Sequence, residues 1–163
     1  MKELIIHPYH SEFPEMFEGQ RRKIASAIGD FEIHHIGSTA VPGLGGKGII
    51  DIMIAIEKWK QAGVLIENLK QAGFLHVHAK ENGRIFASNK QASSFADFHL
   101  HIVKKGSKEY KELLFFRDYM RGNKREVERL YKLKLKWCEQ TKKDRELYGT
   151  LKQDYVKEIL KKH

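Results

Sequence analysis

Apolar residues recur along this chain with two periods. Between Ser11 and Gly29, Phe13, Phe17, Ile24 and Ile28 fall on one helical face, with Ser11 placed to cap the helix and Gly29 suited to its end. FEIHHI (31–36) alternates and predicts a strand, and IIDIMIAI (49–56), dense in β-branched residues, predicts a second. KWKQAGVLIENLKQAG (58–73) reads as a helix ending at Gly73. FLHVHA (74–79), RIFAS (84–88) and FADFHLHIV (95–103) read as three more strands, with Asn82-Gly83 as a hairpin turn between the first two. After Gly106 the period becomes helical throughout. Ser107 is placed to cap a helix over 107–123, and 124–143 and 144–162 predict two more. The order α-β-β-α-β-β-β followed by helices predicts an α+β fold, with a mixed β-sheet core and a C-terminal helical extension. The later strands follow too closely for helical crossovers, so part of the sheet is expected to be antiparallel.

At 163 residues the chain has the length of a single domain, read as a sheet core over 1–103 and a basic helical extension over 104–163. It holds no apolar run near the roughly 20 residues that span a bilayer, which argues against a membrane. The opening MKELIIHPYHSEF is too polar for a signal peptide, and the one cysteine, Cys138, cannot form an intrachain disulfide. These features lead to the expectation of a cytoplasmic location. The formal charge of +9 is uneven: residues 1–103 are balanced at 11 basic against 11 acidic, whereas 104–163 carry 19 against 10. A basic half suits an anionic partner, whether a nucleotide, a nucleic acid or a phosphorylated small molecule. Glutamates interspersed as in KREVERLYKLK equally fit a solvated helix surface, and nucleic acid is the less favoured partner.

The segment HHIGSTAVPGLGGKGIIDIMIAI (34–56) carries most of the candidate chemistry. GLGGKG (43–48) matches the dinucleotide-binding pattern by letter, but a strand follows where that motif needs a helix N-terminus. A P-loop fails too, because Val41 and Gly48 stand where glycine and a hydroxyl residue are required. Backbone amides can approach phosphate only where side chains are small, so Gly37, Ser38 and Thr39 are candidate phosphate-binding residues, with Lys47 as a positive charge. Strand alternation places Asp51, Met53 and Ala55 on one face and Ile50, Ile52, Ile54 and Ile56 on the other. A carboxylate among isoleucines needs a cation: a metal, Lys47 or an arginine. In FADFHLHIV, Asp97, His99 and His101 share a face. With Asp51 they form a candidate metal cluster, in which imidazole favours zinc, manganese or iron over magnesium; a polar, half-solvated face with no metal fits the same alternation. Arg117 and Arg145, with Asp97, are candidate substrate contacts, although Arg117-Asp118 and Asp144-Arg145 also read as helix ion pairs. His35, Tyr119 and Tyr148 read as structural.

Gly37-Ser38 at a strand end, with Asp51 inside the next strand, resembles the opening signature of the nucleotidyltransferase superfamily, the polymerase-beta-like fold. HIGSTAVPGL (35–44), Lys47, IIDI (49–52), HLHIV (99–103), FRDYMR (116–121) and DRELY (144–148) in this order resemble the GrpB family, small bacterial proteins on a nucleotidyltransferase-like core. The resemblance implies a fold and a site, not a reaction. It implies that the Gly-Ser turn holds phosphate oxygens and that strand carboxylates hold a divalent metal, with Asp51 as the catalytic acid and His99 or His101 beside it. Two departures stand out. Gly45, Gly46 and Gly48 surround Lys47 where the family often has alanines and a proline. Met53 occupies the position of the second acid of an Asp-x-Asp or Asp-x-Glu pair. The readings that follow are nucleotidyl transfer to an unknown acceptor, a binding module that has lost catalysis, and RNA binding through the basic helices.

Overall fold

A computed structural model describes residues 3–163. Helix α1 (Phe13–Ile28) starts at Phe13 with Pro14 in its first turn, and no side chain caps it; Glu12, not Ser11, takes the cap position. Strand β1 (Glu32–Ile36) leads through a short 3₁₀ turn (Ser38–Ala40) and the glycine loop to β2 (Ile50–Ile56). Helix α2 (Ala62–Gln71), the short β3 (His76–Val77), β4 (Arg84–Ser88) and β5 (Phe98–Lys104) complete the first half. The Asn82-Gly83 turn has positive φ at both residues, and Glu81 and Arg84 exchange backbone hydrogen bonds across it, as a two-residue hairpin requires. Then come α3 (Lys108–Arg121), α4 (Lys124–Gln140) and α5 (Arg145–Leu160). Ser107 caps α3 by accepting from the Tyr110 amide, and Asp144 caps α5 by accepting from Glu146 and Leu147.

The sheet order is β1-β2-β5-β4-β3, with β2 and β5 parallel and the other neighbours antiparallel. One face is uniformly apolar. Ile50, Ile52, Ile54 and Ile56 of β2, Leu100 and Ile102 of β5, and Ile85 and Ala87 of β4 pack there with Phe13 and Ile24 of α1 and Leu65 and Leu69 of α2. The opposite face is divided. Ile36, Met53 and Val103 lie under Tyr110, Leu113 and Leu114 of α3. Asp51, His99, His101 and Phe86 occupy the rest of that face, with Arg84 at its edge against Glu109 of α3. Helices α3, α4 and α5 form a bundle around Met120, Val127, Leu130, Tyr155 and Ile159, into which Val41 and Leu44 of the glycine loop insert. The N-terminal segment ties the halves together: His7 exchanges backbone hydrogen bonds with Gly46, and Leu4 packs on Cys138 and Tyr148. Among the described residues no helix is long and apolar enough to cross a membrane.

Candidate functional site

Strand pairing brings the polar residues together. Asp51 lies opposite Ile36 on β1 and opposite His99 on β5, and His101 is one step along the same face of β5. Asp51 Oδ1 accepts a 2.9 Å hydrogen bond from His101 Nε2, while His99 Nδ1 stands 3.8 Å away. The Phe86 ring packs edge-on against both imidazoles and walls the pair on the β4 side. From β4, Arg84 Nη1 donates 3.2 Å to His101 Nδ1 and pairs with Glu109 of α3 at 3.3 Å. Burial pushes the Asp51 carboxyl upward. The His101 hydrogen bond, with the charge of Lys152 adding, outweighs that and holds it at about 2. His99 is pushed down to about 4, chiefly by burial.

The Gly37-Ser38 turn sits against this carboxylate. Gly37 has φ +72°, and a Cβ there would lie 2.6 Å from Asp51 Oδ2, so the turn needs glycine for both its dihedral and its approach. Beyond it, the glycines that depart from the family pattern have a packing reason. A Cβ on Gly45 would strike the Tyr131 ring at 2.2 Å, and one on Gly48 would strike Phe95 at 2.3 Å. A Cβ on Gly46 would meet Lys134 Nζ at 3.2 Å and Ser38 at 3.3 Å. The loop is thin because α4 presses on it.

Lys134 is the residue that sequence reasoning missed. Its side chain is 1 % exposed, and its ammonium donates to Ser38 Oγ at 2.5 Å and to the Gly45 carbonyl at 2.7 Å. Burial pushes it well below the ordinary lysine range, and the neighbouring charges of Lys152 and Lys47 push the same way, against Asp51. Lys47 is held at about 8 by burial first, then by Lys152, with Asp51 opposing and Arg145 adding to the depression. Lys47, Lys134, Lys152 and Asp51 are therefore close enough to act on one another electrostatically. Among the described residues no carboxylate lies within salt-bridge distance of any of the three lysines. A signal for Lys134 was present in the sequence. The buried stripe of α4 runs Val127, Leu130, Lys134 and Cys138, so the lysine holds a core position. Its neighbours in KLKLK made it look like part of a solvated face.

Other expected residues are placed elsewhere. The Thr39 hydroxyl is hydrogen-bonded to His35 Nε2 at 2.8 Å, and the His35 ring stacks on Phe17. Burial, with Arg121 adding, keeps His35 down at about 4. Asp97 anchors the turn before β5, accepting from the Ser94 amide and pairing with Lys90 at 2.9 Å. Arg117 donates to Asp118 and to the His35 carbonyl. Arg145 lines a cavity of about 230 Å³ with Lys47, Ser93, Ser94 and Phe95, and it donates to the Glu3 carbonyl at 3.3 Å. Tyr148 packs against Trp137, and Tyr119 lies against the helical bundle.

The profile of the family described as GrpB protein matches residues 3–162. The chain belongs to the GrpB family. It is 28 % identical over 164 residues to the glutamate-rich protein GrpB of Alkalihalophilus pseudofirmus, covering 97 % of this chain and 94 % of that one. It is also 28 % identical over 156 residues to a UPF0157 protein of Halalkalibacterium halodurans, covering 94 % of this chain and 79 % of the relative. The crystal structure of conserved protein GrpB from Enterococcus faecalis superposes with a TM-score of 0.83 at 23 % identity, over 97 % and 96 % of the two chains. Structures of the Cid1 poly(U) polymerase superpose with a TM-score of 0.54 at 15 % identity, over 81 % of this chain and 44 % of that one. The GrpB fold seen here is thus nucleotidyltransferase-like, as its Gly-Ser turn and strand aspartate suggested.

Proposed function

We propose that the cleft between the Gly37-Ser38 turn and helices α4 and α5 binds the phosphate groups of a nucleotide or another phosphorylated small molecule. The observation that carries this reading is Lys134, whose Nζ is buried beside the Gly37-Ser38 turn and donates to Ser38 Oγ and the Gly45 carbonyl. Gathering like charges out of water is unfavourable, and an anion that displaces the repulsion would recover that energy. The Gly37-Ser38 turn, rather than the glycine loop that Tyr131, Lys134 and Phe95 fill, offers such an anion its backbone amides. The fold likeness supports the same class of ligand, since Cid1 has been solved with MgGTP.

Binding is favoured over transfer. Met53, where a second acid would stand, is 0 % exposed beneath α3, leaving Asp51 as the single carboxylate of β2. The test is a thermal-shift and calorimetric series with ATP, GTP, UTP, pyrophosphate and tripolyphosphate. A ligand at 100 times its Kd stabilises by about 2.7 kcal/mol, a rise of roughly 5–10 °C for a chain of this size. No shift with any of them in the parent would refute the reading. The basic helices offer a rival, RNA binding. Its affinity would fall steeply with salt and would not depend on Lys134.

A further inference from the structure

The nucleotidyltransferase-like fold implies a divalent metal held by strand carboxylates, and the residues present here do not fit one. Asp51 has no second acid beside it, because Met53 is packed with Ile36 and Val103 under α3. His101 is not free to replace that acid. An arginine can only donate, so the Arg84 contact makes His101 Nδ1 an acceptor and puts the ring proton on Nε2. That proton is the one given to Asp51 Oδ1. A metal beside Asp51 would need the Nε2 lone pair, and freeing it would move the proton to Nδ1, against the guanidinium. Glu109 holds that guanidinium from the far side. His99 alone is left as an imidazole donor.

Charge points the same way. Lys134 Nζ sits on Ser38 Oγ and the Gly45 carbonyl, next to the Gly37 turn that touches Asp51, and Lys47 and Lys152 act on the same site against one carboxylate. A dication would enter a cleft already positive and would be repelled by it. The lysines can supply what a metal supplies elsewhere, namely neutralisation of polyphosphate oxygens.

We propose that this cleft binds polyphosphate without a divalent metal, Lys47, Lys134 and Lys152 taking the metal's electrostatic place, and that Arg84 is a positioning residue that holds His101 as a hydrogen-bond donor to Asp51. The inference rests on the phosphate reading above. It also assigns the ligand class more narrowly: a di- or triphosphate taken up as the free anion rather than as its magnesium complex.

The probe is tripolyphosphate, titrated into metal-stripped full-length protein in EDTA and again in millimolar Mg²⁺ or Mn²⁺. The expected result is equal or tighter binding in EDTA, because the metal competes for the anion. Binding at least tenfold tighter with metal overturns this inference while keeping the phosphate reading. Absence of binding in every condition overturns both. A second arm needs no ligand. Nitrogen NMR of the His101 ring should report the Nε2–H tautomer in the parent, and added Mn²⁺ should leave the His101 resonances unbroadened. Arg84→Met should shift the ring toward the other tautomer, and Arg84→Lys, which still donates, should restore it. A parent ring protonated on Nδ1, or Mn²⁺ broadening at His101 that Asp51→Asn abolishes, refutes the role of Arg84.

Discussion

Replacing Lys134 by methionine separates its two consequences, because the side-chain length is kept and the charge is lost. In the free protein the variant loses hydrogen bonds to Ser38 Oγ and to the Gly45 carbonyl. Each is worth about 1 kcal/mol net, and a buried carbonyl left unsatisfied costs about 1–3 kcal/mol. Against this stands relief from burying an ammonium at 1 % exposure with two lysines nearby, a penalty of several kcal/mol even after relaxation. The two nearly offset, and we expect the ligand-free variant to be as stable as the parent or up to about 2 kcal/mol more stable. Tripolyphosphate affinity should fall by about 1.5–3 kcal/mol, the loss of a hydrogen bond to a charged group, or roughly ten- to a hundredfold. Urea midpoints without ligand and calorimetry with tripolyphosphate measure the two effects separately. A variant that is several kcal/mol less stable yet binds the anion as the parent does would show Lys134 to be a structural strut and would refute the argument.

Three further outcomes follow from the same geometry. Lys47, held at about 8 when folded against about 10.4 when unfolded, binds fewer protons in the native state over that window. Native stability should therefore rise as pH increases from about 8 toward 10, a slope that Lys47→Met should reduce in denaturant midpoints; above pH 8 anion binding should take up protons, read by calorimetry in buffers of different ionisation enthalpy. Met53→Asp, which restores the fold's second acid, should lose about 3 kcal/mol or more, because the site is fully buried under α3, whereas Met53→Leu should lose less than about 1.5 kcal/mol in the same urea assay. Gly37→Ala should be destabilised by about 1–3 kcal/mol in thermal unfolding, from φ +72° and the 2.6 Å approach to Asp51 Oδ2 together.

Periodicity made the fold legible because both halves follow it without conflict. The isoleucines of β2 all face α1 and α2, and β5 ends at Lys104, where the charge balance changes. The expected FLHVHA strand shrank to His76–Val77, an edge segment with little ladder to hold it. At the site, parity along β2 and β5 was enough to bring Asp51, His99 and His101 together, since neighbouring parallel strands put matched residues side by side. Parity could not tell a ligand set from a hydrogen-bonded pair. That depends on Arg84 of β4, two strands after β2 in sequence but adjacent to β5 in the sheet. Lys134 escaped for a different reason. A lysine on a helix is exposed far more often than not, and only the packing of α4 on the glycine loop turns that position inward.

Asp51 is the residue on which the metal-bound and metal-free readings make opposite predictions. It sits in an apolar strand, a quarter exposed, and its low pKa means that the folded state favours its charge. Sign follows from that depression: the carboxylate adds stability above pH 4, and this is lost as pH falls through about 2. Removing the charge with Asp51→Asn should lower stability at pH 7 by about 1–2 kcal/mol, because His101 loses its charged acceptor and Lys152 its counter-charge. If a metal bridged Asp51 to the phosphates, the same variant would lose anion binding. If the lysines bind the anion directly, Asp51 is a like charge beside it and opposes binding. Its removal should then tighten tripolyphosphate by about 1 kcal/mol, roughly fivefold, the order of one unit-charge interaction in a partly solvated cleft. Calorimetry in EDTA at pH 7 reads that sign directly, and weaker binding by Asp51→Asn would mean that the carboxylate serves the anion through a cation after all.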